Sequence, residues 1–331
     1  MSNEQKGRRP LQRNGFVVRK ERLYGRLIAA SAVVTIIVTV GIILSLIGRA
    51  LTFWSEVPLL VFLTGTKWSP VIDQTYGLLP LLSGTLIVTV VSAVIALPIG
   101  LAAAIYLSEY ASERARSILK PALEVLAGVP TVIYGYMALV YVTPLIDTVL
   151  PISVGLLPAW VPLLPEFTLV MPSLRTFNAL SASVVVGIMI LPMVSSISED
   201  ALSSVPDSLR QGAYGLGSTK LDVSTKVVVP AATSGIIASY VLAISRAIGE
   251  TMAVTMAMGM SPQMPFYPDV LRNLAESSQT ITAAMVEIAG ADSLGGVTYE
   301  AMFALGLTLF VITLTMNVFA ELVRRRFREE Y

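Results

Sequence analysis

Residues 209–259 read LRQGAYGLGSTKLDVSTKVVVPAATSGIIASYVLAISRAIGETMAVTMAMG. The first third of this stretch is polar and is interrupted by glycines, which predicts a surface loop with a short helical piece. The remainder is an apolar run that is long enough to cross a bilayer. Within this run Arg246 and Glu250 stand four positions apart, so the sequence predicts a membrane helix that carries two charges on one face.

The composition is that of a membrane protein. Hydrophobic residues make up 54% of the 331 residues and charged residues only 14%, whereas about 25% of a soluble domain is charged. The mean hydropathy is +0.74. The sequence contains no cysteine and no histidine, which excludes disulfides and removes the usual metal ligands and the usual general base. We therefore expect neither a catalytic site nor a metal site in this chain.

The apolar runs predict six membrane spans. They cover residues 27–47, 81–107, 121–145, 179–197, part of 227–259, and 301–323. Residues 146–178 are also apolar but contain five prolines, which cannot sustain one hydrogen-bonded helix. We expect an external loop there rather than a seventh span. A short charged loop is expected at 108–120, with Glu124 near the start of the third span, and a long loop at 260–300.

The distribution of basic residues predicts the orientation of the spans. The N-terminal tail, the loops 108–120 and 199–226, and the C-terminal tail together hold 18 Lys and Arg residues, and the alternate loops hold 4. Arg246, inside a span, completes the 23. Because basic residues favour the cytoplasmic side, this split predicts that both termini are cytoplasmic.

Two of the predicted spans carry small residues at every fourth position. The second span has Ala96, Gly100 and Ala104, and the fifth has Gly235, Ser239, Ala243 and Ala247. Such faces allow neighbouring helices to approach closely. For the second span, ordinary lipid-facing alanines are an equal alternative.

Arg246 and Glu250 are the candidate transport residues. A charged side chain at the centre of a bilayer costs about 2.5–3.5 kcal/mol on insertion scales, so two in one span are expected to have a role. The guanidinium group suits the oxygens of a tetrahedral anion, and Thr251 adds a hydroxyl beside the pair. The alternative is a buried ion pair that only fixes helix packing, and the residues alone leave both open.

The polar loop that precedes this span predicts a short helix. Pro206 and Asp207 suit its start, Gly217 suits its end, and the helix would run over about 206–216. Gly212 and Ala213 would give it a small-residue surface for a partner. The loop is not a phosphate-binding P-loop, because Ser218 stands where that motif requires lysine.

The same stretch resembles the coupling motif of bacterial ABC importer permeases. Arg210, Ala213 and Gly217 match that motif, Val229-Pro230 closes it, and Gln211 and Gly212 replace its Glu and Ala. The segment 245–254, SRAIGETMAV, resembles the PstC-type permeases of phosphate importers more than their PstA-type partners. Further similar stretches are 62–70, 76–85 and 303–307, so the resemblance covers about 60–323.

The resemblance implies an all-α polytopic membrane protein with six transmembrane helices and a type I (MetI-like) permease core. It implies a chain that forms half of the translocation pathway of a phosphate importer in a prokaryotic cell membrane. The implied partners are a PstA-type permease, a cytoplasmic PstB-type ATPase dimer, an external PstS-type phosphate-binding protein, phosphate and membrane lipid. No nucleic acid is expected. ATP and Mg would be bound by the ATPase, and this chain would bind no cofactor.

The site residues that the resemblance selects form two groups. The predicted substrate pathway consists of Arg246, Glu250 and Thr251. The predicted ATPase-coupling residues are Arg210, Gln211, Gly212, Ala213, Leu216 and Gly217. The expected division of the chain is a basic tail over 1–26, the first span and an external loop over 27–80, the permease domain over 81–323 with its coupling loop at 199–226, and a basic tail over 324–331.

Two other functions agree with these patterns. A permease for another oxyanion, such as sulfate, molybdate or phosphonate, would share the coupling loop. A membrane scaffold or sensor could use Arg246 and Glu250 only for packing. Anion competition distinguishes the first alternative, and uptake by variants of the two charged residues distinguishes the second.

Overall fold

The computed structural model describes residues 15–149, 173–267, 269–291 and 295–326. Over these residues the fold is helical apart from a small hairpin, in which β1 (Trp68–Ser69) pairs antiparallel with β2 (Thr75–Tyr76). The expected all-α class is confirmed. Of the tails predicted over 1–26 and 324–331, residues 1–14 and 327–331 lie outside the described residues, as does most of the predicted external loop at 146–178. Residues 15–26 and 324–326 are not separate tails, because they continue the helices α1 (Gly15–Glu56) and α15 (Val297–Arg326).

The helices before the gap at 150–172 are these, in chain order. They are α1 (Gly15–Glu56), α2 (Leu59–Thr64), α3 (Leu79–Ile105), α4 (Glu113–Ala127), α5 (Thr131–Met137) and α6 (Thr143–Val149). Two π-helical turns belong to the same half: Tyr106–Tyr110 follows α3, and Ala138–Val142 joins α5 to α6.

The remaining helices follow the gap. They are α7 (Ala179–Ser203), α8 (Asp207–Gly215), α9 (Lys220–Val223), α10 (Val229–Ala231), α11 (Thr233–Ile248), α12 (Met252–Met258), α13 (Val270–Ala275), α14 (Ile281–Gly290) and α15 (Val297–Arg326). A third π-helical turn, Ser224–Val228, joins α9 to α10.

Five helical segments are long and apolar enough to cross a membrane. They are Lys20–Glu56, Leu79–Tyr110, Thr131–Val149, Ala179–Ser203 and Val297–Val323. A sixth is present if Lys220–Ala231 and Thr233–Ile248, which meet at a bend of 71°, count as one broken span. The six predicted spans are therefore all represented in the described part of the chain, one of them as a broken helix.

The predicted start of the third span is wrong by about ten residues. Residues 113–127 form the separate helix α4, which carries charged and apolar residues on different faces, and the apolar segment begins at Thr131. The chain breaks at Gly128–Pro130, where Pro130, the residue before α5, has an extended ψ of 135°. Proline disfavours a helical conformation in the residue before it, which explains why one helix cannot run through this point. Glu124 thus lies on α4 and not at the head of a span, and the predicted loop at 108–120 is largely helical.

The predicted fifth span, within 227–259, is broken twice. The first break is the bend at Ala232, which follows the π-helical turn and Pro230; a proline displaces the carbonyl four residues earlier and so disturbs the helix. The second break lies between Ile248 and Met252. This second break was not predicted, because the apolar composition resumes after Gly249–Thr251 and continues to Gly259.

The predicted long loop at 260–300 contains two helices. The short α13 and the apolar α14 both lie in it, and α14 is buried along most of its first turn. Thr280 begins α14 by accepting a hydrogen bond from the backbone N–H of Ala283, at 3.2 Å. An N-terminal Thr cap of this kind is a sequence signal for a helix start.

The core is organised around α7, the most buried of the apolar segments. It packs along α3, where a side chain at Gly100 would collide with Val194. It also packs against α11, where the hydroxyl oxygens of Ser198 and Ser239 are buried 2.7 Å apart. Both predicted small-residue faces therefore serve helix packing: Ala96, Gly100 and Ala104 are buried, as are Ser239, Ala243 and Ala247.

Candidate functional site

Arg246 lies on the last turn of α11 and is exposed. Its neighbour one turn earlier, Leu242, is also exposed, so this edge of α11 faces outward from the isolated chain. Among the described residues, no carboxylate lies within ion-pair distance of the Arg246 guanidinium group. A guanidinium group without a protein counter-ion on an apolar helix is available to an anion.

Glu250 is buried and does not pair with Arg246. It follows Gly249, which ends α11, so the two charged residues do not share a continuous helix. The Glu250 Oε1 atom accepts a hydrogen bond from the backbone N–H of Ala253, at 3.2 Å, in the first turn of α12. The expected ion pair on one helix face is therefore absent between these two described residues. The reason is the helix break, which turns Glu250 toward the unpaired amides at the start of α12.

Two threonine hydroxyl groups form hydrogen bonds with the backbone at the break. The Thr251 hydroxyl donates to the carbonyl oxygen of Gly249, at 3.1 Å, and the Thr282 hydroxyl donates to the carbonyl oxygen of Glu250, at 2.8 Å. These side-chain donors satisfy carbonyl groups that the interrupted helix leaves without partners. The structure thus places Arg246, Glu250 and Thr251 at one helix break, with the arginine exposed and the glutamate buried.

A helix break in an apolar segment restricts where that segment can lie. Non-helical backbone at membrane depth occurs only where protein covers it or where it lines a water-filled cavity. Discontinuous membrane helices are also a common way to form substrate sites in transport proteins. The sequence signalled the charges here, but it did not signal the break that separates them.

The polar loop contains the predicted short helix. It is α8, which begins after Pro206 and ends before Gly217, whose φ is +83°. The Gly217 N–H donates to the Tyr214 carbonyl at 3.0 Å, and the Ser218 N–H donates to the Ala213 carbonyl at 3.2 Å. These two hydrogen bonds form a Schellman motif, in which glycine is favoured because its φ is positive.

Most of the predicted coupling residues lie at the surface. Gln211, Gly212, Leu216 and Gly217 are exposed, and Ala213 is half-buried. Leu216 is 90% exposed, which is unusual for a large apolar side chain. Together with Tyr214, which is 44% exposed on the last turn of α8, Leu216 forms an exposed apolar surface of the kind that is typical of protein contacts.

Arg210 differs from the other coupling residues because its side chain points inward. The side chain is 15% exposed, and it forms an ion pair with Glu109 through Nη2 and Oε1, at 3.0 Å. It also donates to the carbonyl oxygens of Leu202 and Val205 at the end of α7. Sequence reasoning missed Glu109, because nothing in a charged loop shows that one of its acids contacts a residue 101 positions later.

The described residues contain no group of three or more His, Cys, Asp or Glu side chains that could hold a metal ion. The carboxylates of this region are instead paired with basic side chains. Glu199, for example, is buried at the end of α7 and lies 2.6 Å from Lys120 Nζ.

Comparison with known proteins shows that the chain is similar to components of transport systems. The profile of the family described as binding-protein-dependent transport system inner membrane component matches residues 96–329. Among solved structures, a chain of the MetNI methionine ABC transporter in an inward-facing conformation is similar, with a TM-score of 0.52 and 14% identity. The match covers 80% of this chain and 100% of that one, and it supports a MetI-like fold.

Several curated proteins are similar over most of their length. The phosphate transport system permease protein PstC of Haemophilus influenzae is 33% identical over 313 residues, which cover 92% of both chains. PstC of Mesorhizobium japonicum is 31% identical over 90% of this chain and 88% of its own. A probable ABC transporter permease protein of Bacillus subtilis, YqgH, is 32% identical over 88% of this chain and 87% of its own.

Proposed function

The chain belongs to the family of binding-protein-dependent transport system inner membrane components, and from this membership we propose that it is a PstC-type permease subunit of an ATP-driven phosphate importer. It is a multi-pass membrane protein and a transport component. The substrate assignment is supported by the PstC proteins that it resembles along nine-tenths of its length.

The observation that carries the anion assignment is the exposed guanidinium group of Arg246. Because this group has no carboxylate partner among the described residues, it can donate two parallel hydrogen bonds to the oxygens of a phosphate ion. In the assembled importer the exposed edge of α11 would face a cavity between two permease chains. Arg246 would then attract the anion, and transport would require that the contact breaks when the cavity reopens.

Glu250 and Thr251 have supporting positions in this scheme. The Glu250 carboxylate accepts a hydrogen bond from the Ala253 N–H, and this contact stabilises the start of α12 after the break. Its negative charge near the pathway would also limit the affinity for phosphate, which favours release. The Thr251 hydroxyl is bound to the Gly249 carbonyl, and it could exchange that bond for one to the anion.

The energy for transport would come from a separate chain. The sequence lacks a P-loop, and α8 is a compact, exposed helix that an ATPase could grip through Gln211, Gly212 and Leu216. We infer that a PstB-type ATPase dimer, which would bind ATP and Mg, moves α8 from the cytoplasmic side. A PstA-type permease would form the other half of the pathway, and a PstS-type protein would deliver phosphate externally.

The proposed orientation has both termini in the cytoplasm of a prokaryotic cell, with the chain in the inner membrane. Ile72, at the hairpin tip, is 85% exposed and would be external, and Leu216 is 90% exposed and would be cytoplasmic. Since the chain has no cysteine, Ile72→Cys and Leu216→Cys can be labelled separately. An impermeant maleimide is expected to label only Ile72→Cys in intact spheroplasts. If only Leu216→Cys were labelled, the chain would have the opposite orientation to the one proposed.

Anion competition tests the substrate. In cells that depend on this system for uptake, excess unlabelled phosphate should suppress the uptake of labelled phosphate, and equal sulfate should not. Arg246→Ala is expected to lower uptake strongly, and Arg246→Lys, which keeps the charge but loses the planar fork, should lower it less. Stronger competition by sulfate would instead support the related oxyanion permease.

The scaffold or sensor alternative makes a different prediction. If Arg246 and Glu250 only fix packing, Arg246→Ala and Glu250→Gln variants that insert and assemble would retain wild-type uptake. That result would remove both residues from the pathway.

The ATPase contact is tested by Gly212→Glu, which places a charge where nothing lies within 4 Å. It should prevent ATPase co-purification, whereas Thr225→Glu, an exposed control, should not.

A further inference from the structure

A buried charge network joins four elements at the end of the molecule that carries α8. Its centre is Glu109, in the π-helical turn that follows α3, whose side chain is 6% exposed. Glu109 accepts hydrogen bonds from Arg210 Nη2, at 3.0 Å, and from the Ser108 hydroxyl, at 3.0 Å. A carboxylate with so little exposure requires charged or hydrogen-bonding partners, and these are the partners it has.

Other N–H groups of the Arg210 guanidinium donate hydrogen bonds to backbone carbonyl groups at the end of α7. Nη2 donates to the carbonyl oxygen of Leu202, at 2.8 Å, and Nη1 donates to that of Val205, at 2.5 Å. A third contact reaches the exposed carboxylate of Asp207, at 3.2 Å. One side chain from α8 therefore contacts the π-helical turn that follows α3, through Glu109, and the end of α7 with the residues just after it, through the carbonyl groups of Leu202 and Val205.

The π-helical turn is held from its other side by α4. Arg116 Nε donates to the carbonyl oxygen of Leu107, at 3.0 Å, and Arg116 Nη2 donates to that of Ser108, at 3.2 Å. Arg116 also lies 3.3 Å from the buried carboxylate of Glu199 on α7. The position of Glu109 is therefore fixed by contacts on both sides of the turn, and π-helical turns are frequent at functional sites.

We propose that the ion pair between Arg210 and Glu109 is the rigid link through which movement of α8 reaches α3 and α7. This inference rests on the proposed function, in which an ATPase grips α8. Arg210 is then a positioning residue that faces the membrane helices. The exposed residues Gln211 and Gly212 on the same helix, and Leu216 directly after it, face the ATPase. Separating α8 from α3 would leave a buried charge without its partner, which is strongly unfavourable. The two helices therefore move together.

If this link exists, removing the ion pair should lower phosphate transport without lowering ATP hydrolysis to the same extent. Without the ion pair, α8 can still bind the ATPase through its exposed face, so the complex should assemble and hydrolyse ATP. Its movement would reach α3 less effectively, so fewer phosphate ions would cross for each ATP consumed. A residue that only contributed to stability would lower hydrolysis and transport together.

Glu109→Gln in the complete reconstituted importer tests the link, and Asp207→Asn is the matched control. Both substitutions remove one carboxylate partner of Arg210, but Asp207 is 84% exposed and Glu109 is buried. Glu109→Gln is expected to raise the ATP consumed per phosphate imported by about 5-fold or more, the lower end of typical coupling between sites. Asp207→Asn should leave this ratio unchanged.

Hydrogen exchange of the α8 amides gives a second measurement that does not depend on the substrate. Glu109→Gln should increase exchange over residues 207–215, and Asp207→Asn should not. If Glu109→Gln does not assemble, Glu109→Asp, which keeps the charge on a shorter side chain, should show the same changes to a smaller extent. An unchanged ratio together with unchanged exchange would overturn the link. Failure of the wild-type complex to import phosphate would overturn the proposed substrate, and the exchange result would still decide the link.

Discussion

The Oε1 atom of Glu250 lies 3.2 Å from the backbone N of Ala253, so this carboxylate is engaged by a backbone amide and not by Arg246. It assigns the glutamate to the start of α12. Arg246, four residues earlier, is left exposed on α11 without a carboxylate partner in the described part of the chain. The two charges that the sequence places on one helix face are thus two separate groups, a buried glutamate and an exposed arginine.

This contact predicts different effects for two substitutions at position 250. Glu250→Gln keeps a side-chain oxygen that can accept from the Ala253 N–H, so the thermal stability of the purified chain should change little. Glu250→Ala leaves that amide without a partner and should cost about 1 kcal/mol, as the loss of a helix cap commonly does. Equal melting temperatures for the two variants would show that the contact does not stabilise the break.

Gly217 is predicted to be necessary for the end of α8. Its φ of +83° disfavours side chains, and a β-branched residue there is the least suitable. Gly217→Val should destabilise this end of the helix by about 1–2 kcal/mol and increase amide exchange over α8. Gly215→Ala is the matched control, because Gly215 is helical and a Cβ there would have nothing within 4 Å. Equal exchange in both variants would contradict the Schellman motif.

Gly84 is predicted to be essential for packing between α3 and the segment before α14. A Cβ at this position would collide with the backbone carbonyl of Gln279, which is fully buried and cannot move easily. Gly84→Ala should therefore destabilise the fold by about 1–3 kcal/mol. Gly41→Ala, at a helical position with nothing within 4 Å, should be neutral or slightly stabilising. Denaturant unfolding in detergent compares them, and equal midpoints would contradict the close approach.

Lys120 is predicted to make stability depend on alkaline pH. Hydrogen bonds to Glu199 and then to Asp200 raise the pKa of Lys120 above its ordinary value of 10.5. A raised pKa means that the ion pairs contribute fully below pH 10.5, and that this contribution is lost as the pH rises through the folded-state pKa. The wild-type melting temperature should fall over that range more steeply than that of Lys120→Gln.

A control for this pH dependence is Lys226→Gln, which removes a more exposed lysine from the π-helical turn Ser224–Val228. Lys226 is 75% exposed, whereas Lys120 is 33% exposed and contacts a buried carboxylate. The control should keep the wild-type slope above pH 10.5. Identical slopes in the wild type and in Lys120→Gln would show that the Lys120–Glu199 contact does not contribute to stability.

Sequence patterns predicted what depends on local composition. The apolar run at 179–197 identified α7, and Pro206 with Gly217 bounded α8 closely, because these signals act within one or two helical turns. The break after Ile248 was not predicted, because Gly249, Glu250 and Thr251 interrupt an apolar run that continues on both sides of them. The partner of Arg210 was not predictable either, because Glu109 lies 101 positions away and only the packed fold brings them together.

The description of Arg246 combines a signal in the local sequence with a contact that only the folded structure shows. Its charge within an apolar run identified it from the sequence, and the structure adds that its expected partner is occupied elsewhere. The family match and the PstC relatives then give the anion its proposed identity.

The most direct test of the central claim is phosphate accumulation in proteoliposomes that contain the two permease chains and the ATPase, with the binding protein added outside. With ATP and Mg on the side of α8, labelled phosphate should accumulate against its gradient, and sulfate should not compete. Arg246→Ala should assemble equally but accumulate little phosphate. Accumulation that persists in Arg246→Ala, or that sulfate suppresses better than phosphate, would contradict the account.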